Sequence, residues 1–133
     1  MTLNEIVGRC EQLEVYTKRT LTEEKAELVF YSKDTNEWNR LFTDIFGSAV
    51  KPAGVKPTAS DLFLTRQYGG IDTGQTLFTK VFNNGVVMAM FWPWQSEDYT
   101  TLKLFLLPAD SVAVADGKSG SIFGRIFRKL RGA

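Results

Sequence analysis

Three β-rich segments follow one another in residues 76–107, and they constrain the fold more than any other feature. Residues 76–82 and 86–94 are dominated by β-branched, aromatic and other apolar side chains and flank Asn83-Asn84-Gly85. An Asn-Gly pair takes positive φ at both central positions of a type I′ turn, so the pattern predicts a tight hairpin with Asn84-Gly85 at its tip. That register sets Val81 opposite Met88, Thr79 opposite Met90 and Leu77 opposite Trp92 on one face. Phe82, Lys80 and Phe78 then meet Val87, Ala89 and Phe91 on the other. Pro93 falls at the far end, where a missing N–H donor is tolerated. Gln95-Ser96-Glu97-Asp98 makes the next turn. Residues 99–107 alternate Leu102, Leu104 and Leu106 with Thr101 and Lys103, as a sheet with one buried face requires, and Pro108 ends the run.

Helical spacing marks the N-terminal half. Leu3, Ile6, Val7, Cys10 and Leu13 predict an amphipathic helix over residues 2–17, with Thr2 and Glu5 spaced as a capping box. Residues 26–32 read as a strand, with a helix running on from Thr22 as the competing reading. Asp34 and Glu37 form a second capping signal. Trp38, Leu41, Phe42, Ile45 and Phe46 then follow the spacing of a helix over 35–47, with Gly47 at its C-terminus. Two prolines and two glycines make residues 47–60 a loop. Residues 61–68 fit either a short helix capped by Ser60 or a strand. The expected class is α+β: a mainly antiparallel sheet with a three-strand C-terminal meander, N-terminal helices packed on one face, and a short basic amphipathic helix at the C-terminus.

The chain has 133 residues, enough for one domain, which the composition places at 1–110. Small and polar residues over 111–120 suggest a linker. Sixteen bases and fifteen acids nearly cancel, but they are unevenly distributed. Residues 118–133 carry five bases and no acid, whereas the first 117 carry eleven bases and fifteen acids, a charge of −4. Within 121–133, Ile122, Phe123, Ile126, Phe127 and Leu130 share one helical face, with Arg125, Arg128, Lys129 and Arg131 largely off it. A helix this short is marginal alone in water, so its apolar face needs a cover. The candidate covers are the chain's own domain, a protein partner and an anionic membrane surface.

Several chemistries are removed by composition. The sequence holds no His and one Cys, which precludes His-based nucleophilic triads, an internal disulfide and a Cys/His zinc site. No cofactor or metal site is expected. Gly117-Lys118-Ser119 resembles the end of a phosphate-binding loop, but Val112 stands where its first glycine is needed. Cys10 lies on an apolar stripe and reads as a small core residue. Glu23-Glu24 and Glu97-Asp98 read as solvated turns, and Lys80 and Lys103 with Arg66 or Tyr68 as ordinary charges on a half-exposed sheet face. No basic n-region or apolar leader appears at the N-terminus, so a cytoplasmic location is expected.

The leading functional expectation is a non-enzymatic interaction module. Its docking element is the basic helix of Ile122, Phe123, Arg125, Ile126, Phe127, Arg128, Lys129, Leu130 and Arg131. The alternative is a small-ligand binder or weak enzyme, with an aromatic-lined pocket between residues 35–47 and the sheet near Trp94, Tyr99 and Tyr68. An exposed edge strand would allow a homodimer. Only the C-terminal segment is basic, and it is not interleaved with stacking aromatics on the rest of the chain, which speaks against nucleic acid.

Overall fold

The computed structural model describes residues 1–82 and 85–108. Helix α1 (Leu3–Cys10) leads into strands β1 (Thr17–Leu21) and β2 (Lys25–Tyr31). Helices α2 (Thr35–Phe46) and α3 (Ala59–Thr65) follow, then β3 (Thr76–Phe82), β4 (Gly85–Pro93) and β5 (Tyr99–Leu107). The strands form one antiparallel sheet in the order β1-β2-β5-β4-β3. The expected α+β class and C-terminal meander are both present. The linker 111–120 and the helix 121–133 lie outside the described residues.

Helix α1 begins as its sequence dictates: Thr2 accepts from the Glu5 amide and the Glu5 carboxylate accepts from Thr2 N–H, both at 3.1 Å. It ends seven residues short of the expected boundary. The Gln12 and Leu13 amides bond back to Arg9 and Cys10 in tight turns, and Tyr16 N–H already donates to the Val29 carbonyl. The segment expected to continue the helix is therefore a turn that leads into β1 at Thr17. The exposed Lys18 and Arg19 of β1 and its bulge between Lys18 and Thr20 are what an unpaired sheet edge favours. The strand reading of residues 26–32 holds, and β2 pairs along its whole length with β5.

The second capping signal behaves differently. A 3-10 turn over Ser32–Asp34 runs directly into α2, and the Asp34 side chain caps nothing. Thr35 Oγ1 instead donates to the Ser32 carbonyl at 2.7 Å. Gly47 ends α2 at φ 84°, the left-handed geometry glycine adopts without strain. Residues 61–68 resolve as helix rather than strand. The cap of α3 is Thr58, two residues before the expected Ser60, with Asp61 completing its capping box.

The predicted hairpin is correct in kind and displaced in register. Phe82 pairs with Gly85 and Leu77 with Met90, and Gly85 is the first residue of β4. A slip of two residues preserves every side chain's face. Gly85 has φ 139°, and a Cβ there would lie 2.5 Å from the Leu107 carbonyl oxygen. Close approach of β5 thus demands the glycine.

The sheet is covered differently on its two faces. On one, α1 contributes Leu3, Ile6, Val7 and Cys10, and α2 contributes Trp38, Phe42, Ile45 and Phe46. These meet Phe30, Phe78, Val87, Phe91, Leu102 and Leu104 from the strands. Phe30 and Trp38 stack with centroids 4.5 Å apart, and Phe42 touches both Phe78 and Phe91. On the other face, Leu64 and Ile71 cover Leu77, Met88, Met90 and Phe105. That cover reaches only the β3-β4-β5 side.

Two further features fix the frame. Lys51, 1% exposed, lies against the β3 edge opposite Leu77 and donates to the carbonyls of Pro52, Thr73 and Gln75. Burial pushes its ammonium below the ordinary lysine range, while Asp72 and Asp61 pull it back. The thiol of Cys10 is pushed up to about 12 by burial, with Glu11 adding to the effect.

Three outcomes follow from this packing. Phe42→Ala should cost about 3–5 kcal/mol in urea unfolding, the usual range for deleting a buried ring. Gly85→Ala should also lower the midpoint, whereas Val81→Thr, at a position 41% exposed, should leave it within about 0.5 kcal/mol. Cys10 should resist alkylation at pH 8 until the chain is unfolded. Its native pKa lies above the ordinary thiol value, so its contribution to stability is complete below pH 9.0 and is lost as pH rises towards about 12.

Candidate functional site

The face opposite α1 and α2 carries two groups of accessible side chains. The first is at the end where β2 finishes and β5 begins. Strand parity places Tyr31, Tyr99 and Trp94 on this face, and Tyr16, just before β1, folds over them. Tyr16 lies 4.4 Å from Tyr99 and 5.6 Å from Tyr31, and Tyr99 lies 5.0 Å from Trp94, centroid to centroid. The Trp94 indole donates to Thr101 Oγ1 at 2.8 Å, which fixes its plane. The Arg19 guanidinium sits 5.3 Å over the same ring, and Lys33 5.5 Å over Tyr31. Tyr16 remains 48% exposed, so the cluster is open to solvent.

The turn beneath this cluster is strained. Trp94 N–H donates to the Tyr99 carbonyl and Glu97 N–H to the Trp94 carbonyl, closing a tight connection. Glu97 adopts φ 66°, left-handed geometry in a residue with a side chain. Such conformations cost of order 1–3 kcal/mol and collect at binding sites and switches. Tyr31, Lys33, Glu97, Asp98 and Tyr99 line a shallow cleft of about 360 Å³ here. Burial among the rings, then the neighbouring Tyr16, hold the Tyr99 phenol above the ordinary tyrosine range.

The second group lies towards the β3 side. Phe63, Arg66, Ile71, Asp72, Gln75 and Trp92 are among the residues that line a cleft of about 720 Å³. Gly69, at φ 103°, lets the backbone close on Trp92: a Cβ there would lie 2.5 Å from Trp92 Cη2. The Lys103 ammonium covers the Trp92 ring at 3.7 Å, and the Arg66 guanidinium covers Phe63 at 4.9 Å.

Of the residues singled out in the sequence, Trp94 and Tyr99 come together and Tyr68 does not join them. Tyr68 packs at a tilt against Phe105 at 4.8 Å, six residues along β5 from Tyr99 and about 20 Å away at the usual strand rise. Between residues 35–47 and the sheet, where a pocket is expected, the described side chains pack ring against ring. Trp38, Phe42 and Phe46 occupy that space against Phe78 and Phe91, and Trp94, Tyr99 and Tyr68 all belong to the opposite face. Lys80 and Lys103 are also on opposite faces: Lys80 donates to the Ile45 carbonyl at the end of α2. Residues 122–131 lie outside the described residues. Tyr16 and Arg19 were missed because β1, which brings them to Trp94, has no apolar alternation to announce it, and Tyr31 reaches the cluster only through the pairing of β2 with β5.

Among the described residues, no group of three or more Cys, Asp or Glu side chains is placed to hold a metal ion, and no helix is long and apolar enough to cross a membrane. Compared with protein families, curated proteins and solved structures, the chain matches none.

The ring cluster has a direct spectroscopic test. Tyr16→Phe should move the Tyr99 phenol back towards the ordinary tyrosine range in a 13Cζ NMR titration, because it removes a neighbouring hydroxyl. A Tyr99 titration indifferent to that change would place the two rings apart.

Proposed function

We propose that this chain is a non-enzymatic cytoplasmic interaction module that docks a protein partner on the open end of its sheet. The observation that carries the reading is the mutual contact of Tyr16, Tyr31, Tyr99 and Trp94 on a face that the helices leave uncovered. Tyr, Trp and Arg are the residue types that concentrate binding energy at protein interfaces, and here they are adjacent and held in place. Rings lose little conformational entropy when a partner covers them, since each has two rotatable bonds and neighbouring rings already restrict both. The strained turn at Glu97 supports the reading: it holds Trp94 and Tyr99 side by side.

The basic segment 121–133 supplies the second contact. Its four positive charges, with Lys118 just before them, stand against the −4 of the first 117 residues, so it suits an acidic surface on the same partner. Two weak contacts joined in one chain reinforce one another through effective concentration.

The test is proximity crosslinking and quantitative affinity purification of the full chain beside Tyr99→Ala, Trp94→Ala and a 1–117 truncation, each checked for folding by circular dichroism. The reading expects a common partner set that falls at least about tenfold with the ring variants. Truncation should weaken capture less while leaving the fold intact. Full recovery of partners by the ring variants would overturn the proposal. So would sedimentation of the full chain with phosphatidylserine vesicles, lost on truncation and unchanged by the ring variants, which would assign a membrane instead.

A further inference from the structure

The second cleft carries an inference independent of the partner surface. We infer that the cleft between α3 and Trp92 binds a compact organic anion with a flat apolar body, of the aromatic carboxylate class. Its volume of about 720 Å³ lies in the usual range for small-molecule sites. Phe63, Ile71 and Trp92 offer flat apolar walls, while Gly69 and Gly70, both at positive φ, leave part of the lining without side chains.

Polar chemistry selects the charge of the occupant. Arg66 is held over Phe63 and takes part in no ion pair among the described residues. A guanidinium restrained at a pocket wall, with its donor fork free, matches a carboxylate in two parallel hydrogen bonds. The Trp92 Nε1–H is buried and has no hydrogen-bond partner among the described residues, a donor that lacks an acceptor. Two of the acceptors lining the cleft are already engaged. Gln75 Oε1 receives the Asp72 amide at 3.0 Å, and Asp72 Oδ1 receives the Gly74 amide at 3.2 Å. Arg66 therefore supplies the cleft's charged donor fork, whereas an anion set against the Asp72 carboxylate would be repelled. The carboxylate of a ligand belongs at Arg66 and its ring between Phe63 and Trp92.

Two-dimensional 1H–15N NMR on the full chain tests this with benzoate, 1-naphthoate, benzyl alcohol and acetate as probes. Benzoate and naphthoate should give saturable shifts at the Trp92 indole N–H and the Gly69 and Gly70 amides, with naphthoate the tighter. Benzyl alcohol keeps the ring without the charge and acetate the charge without the ring, so each should bind at least about tenfold more weakly. Arg66→Gln, at an exposed position that cannot threaten the fold, should cost the carboxylates at least about tenfold and leave benzyl alcohol unchanged. Asp72→Asn should tighten them. Equal shifts from acetate and naphthoate, shifts that persist in Arg66→Gln, or shifts confined to other surfaces would each overturn the assignment. None of these outcomes depends on the ring cluster at Trp94, whose variants should bind naphthoate as the parent chain does.

Discussion

Ring packing between α2 and the central strands is the contact on which the rest of the molecule depends. Phe30, Trp38, Phe42, Phe46, Phe78 and Phe91 form one contiguous set, and each touches at least two others. Large side chains contribute roughly 1.5–3 kcal/mol each when fully buried, so this layer outweighs the exposed ion pairs that tie the helices and edge together. Arg9 to Asp44 and Lys18 to Glu11, both at 2.9 Å on the surface, align elements without holding them. With α1 and α2 anchored on one face, the opposite face is free to differ along its width.

That difference has a simple origin. Helix α3 and the residues after it are short, and they reach across β3, β4 and part of β5 only. Lys51 pins the loop that begins this cover by donating to three carbonyls, of which those of Pro52 and Thr73 also receive backbone amides. Beyond the reach of α3, the sheet surface is finished by aromatic and cationic side chains. They shield one another imperfectly, as the exposure of Tyr16 shows. Trp92 marks the boundary: it belongs to the small core on one side and to the α3 cleft on the other.

Much of the architecture was legible where residue pattern and tertiary context agree. The 99–107 alternation, the α2 stripe and the Thr2 capping box all survive intact, because each encodes its structure locally. Strand β1 was illegible. Thr17-Lys18-Arg19-Thr20-Leu21 lacks apolar alternation, and an edge strand needs none, since its identity comes from pairing with β2. The hairpin slipped by two residues because Gly85 answers to the Leu107 backbone on the neighbouring strand, a contact outside any local turn rule. Asp34 failed as a cap because the preceding 3-10 turn already sets the helix entry. Of the candidate site, the Trp94–Tyr99 pair was visible from their closeness in sequence. Tyr16 and Tyr31 reach it only through the β1-β2-β5 pairing, and the α3 cleft only through the folding of Gly69 onto Trp92.

Partner docking requires that the rings at the open end of the sheet be accessible in the full chain. Paramagnetic relaxation by a soluble neutral gadolinium chelate, read at the aromatic protons of Tyr16, Tyr31, Tyr99 and Trp94, measures it directly. Strong relaxation of Tyr16, with graded effects on the other three and none on Trp38 or Phe42, is the predicted pattern. Protection of all four rings to the level of Phe42 would show that the surface is covered from within the chain and would contradict the account.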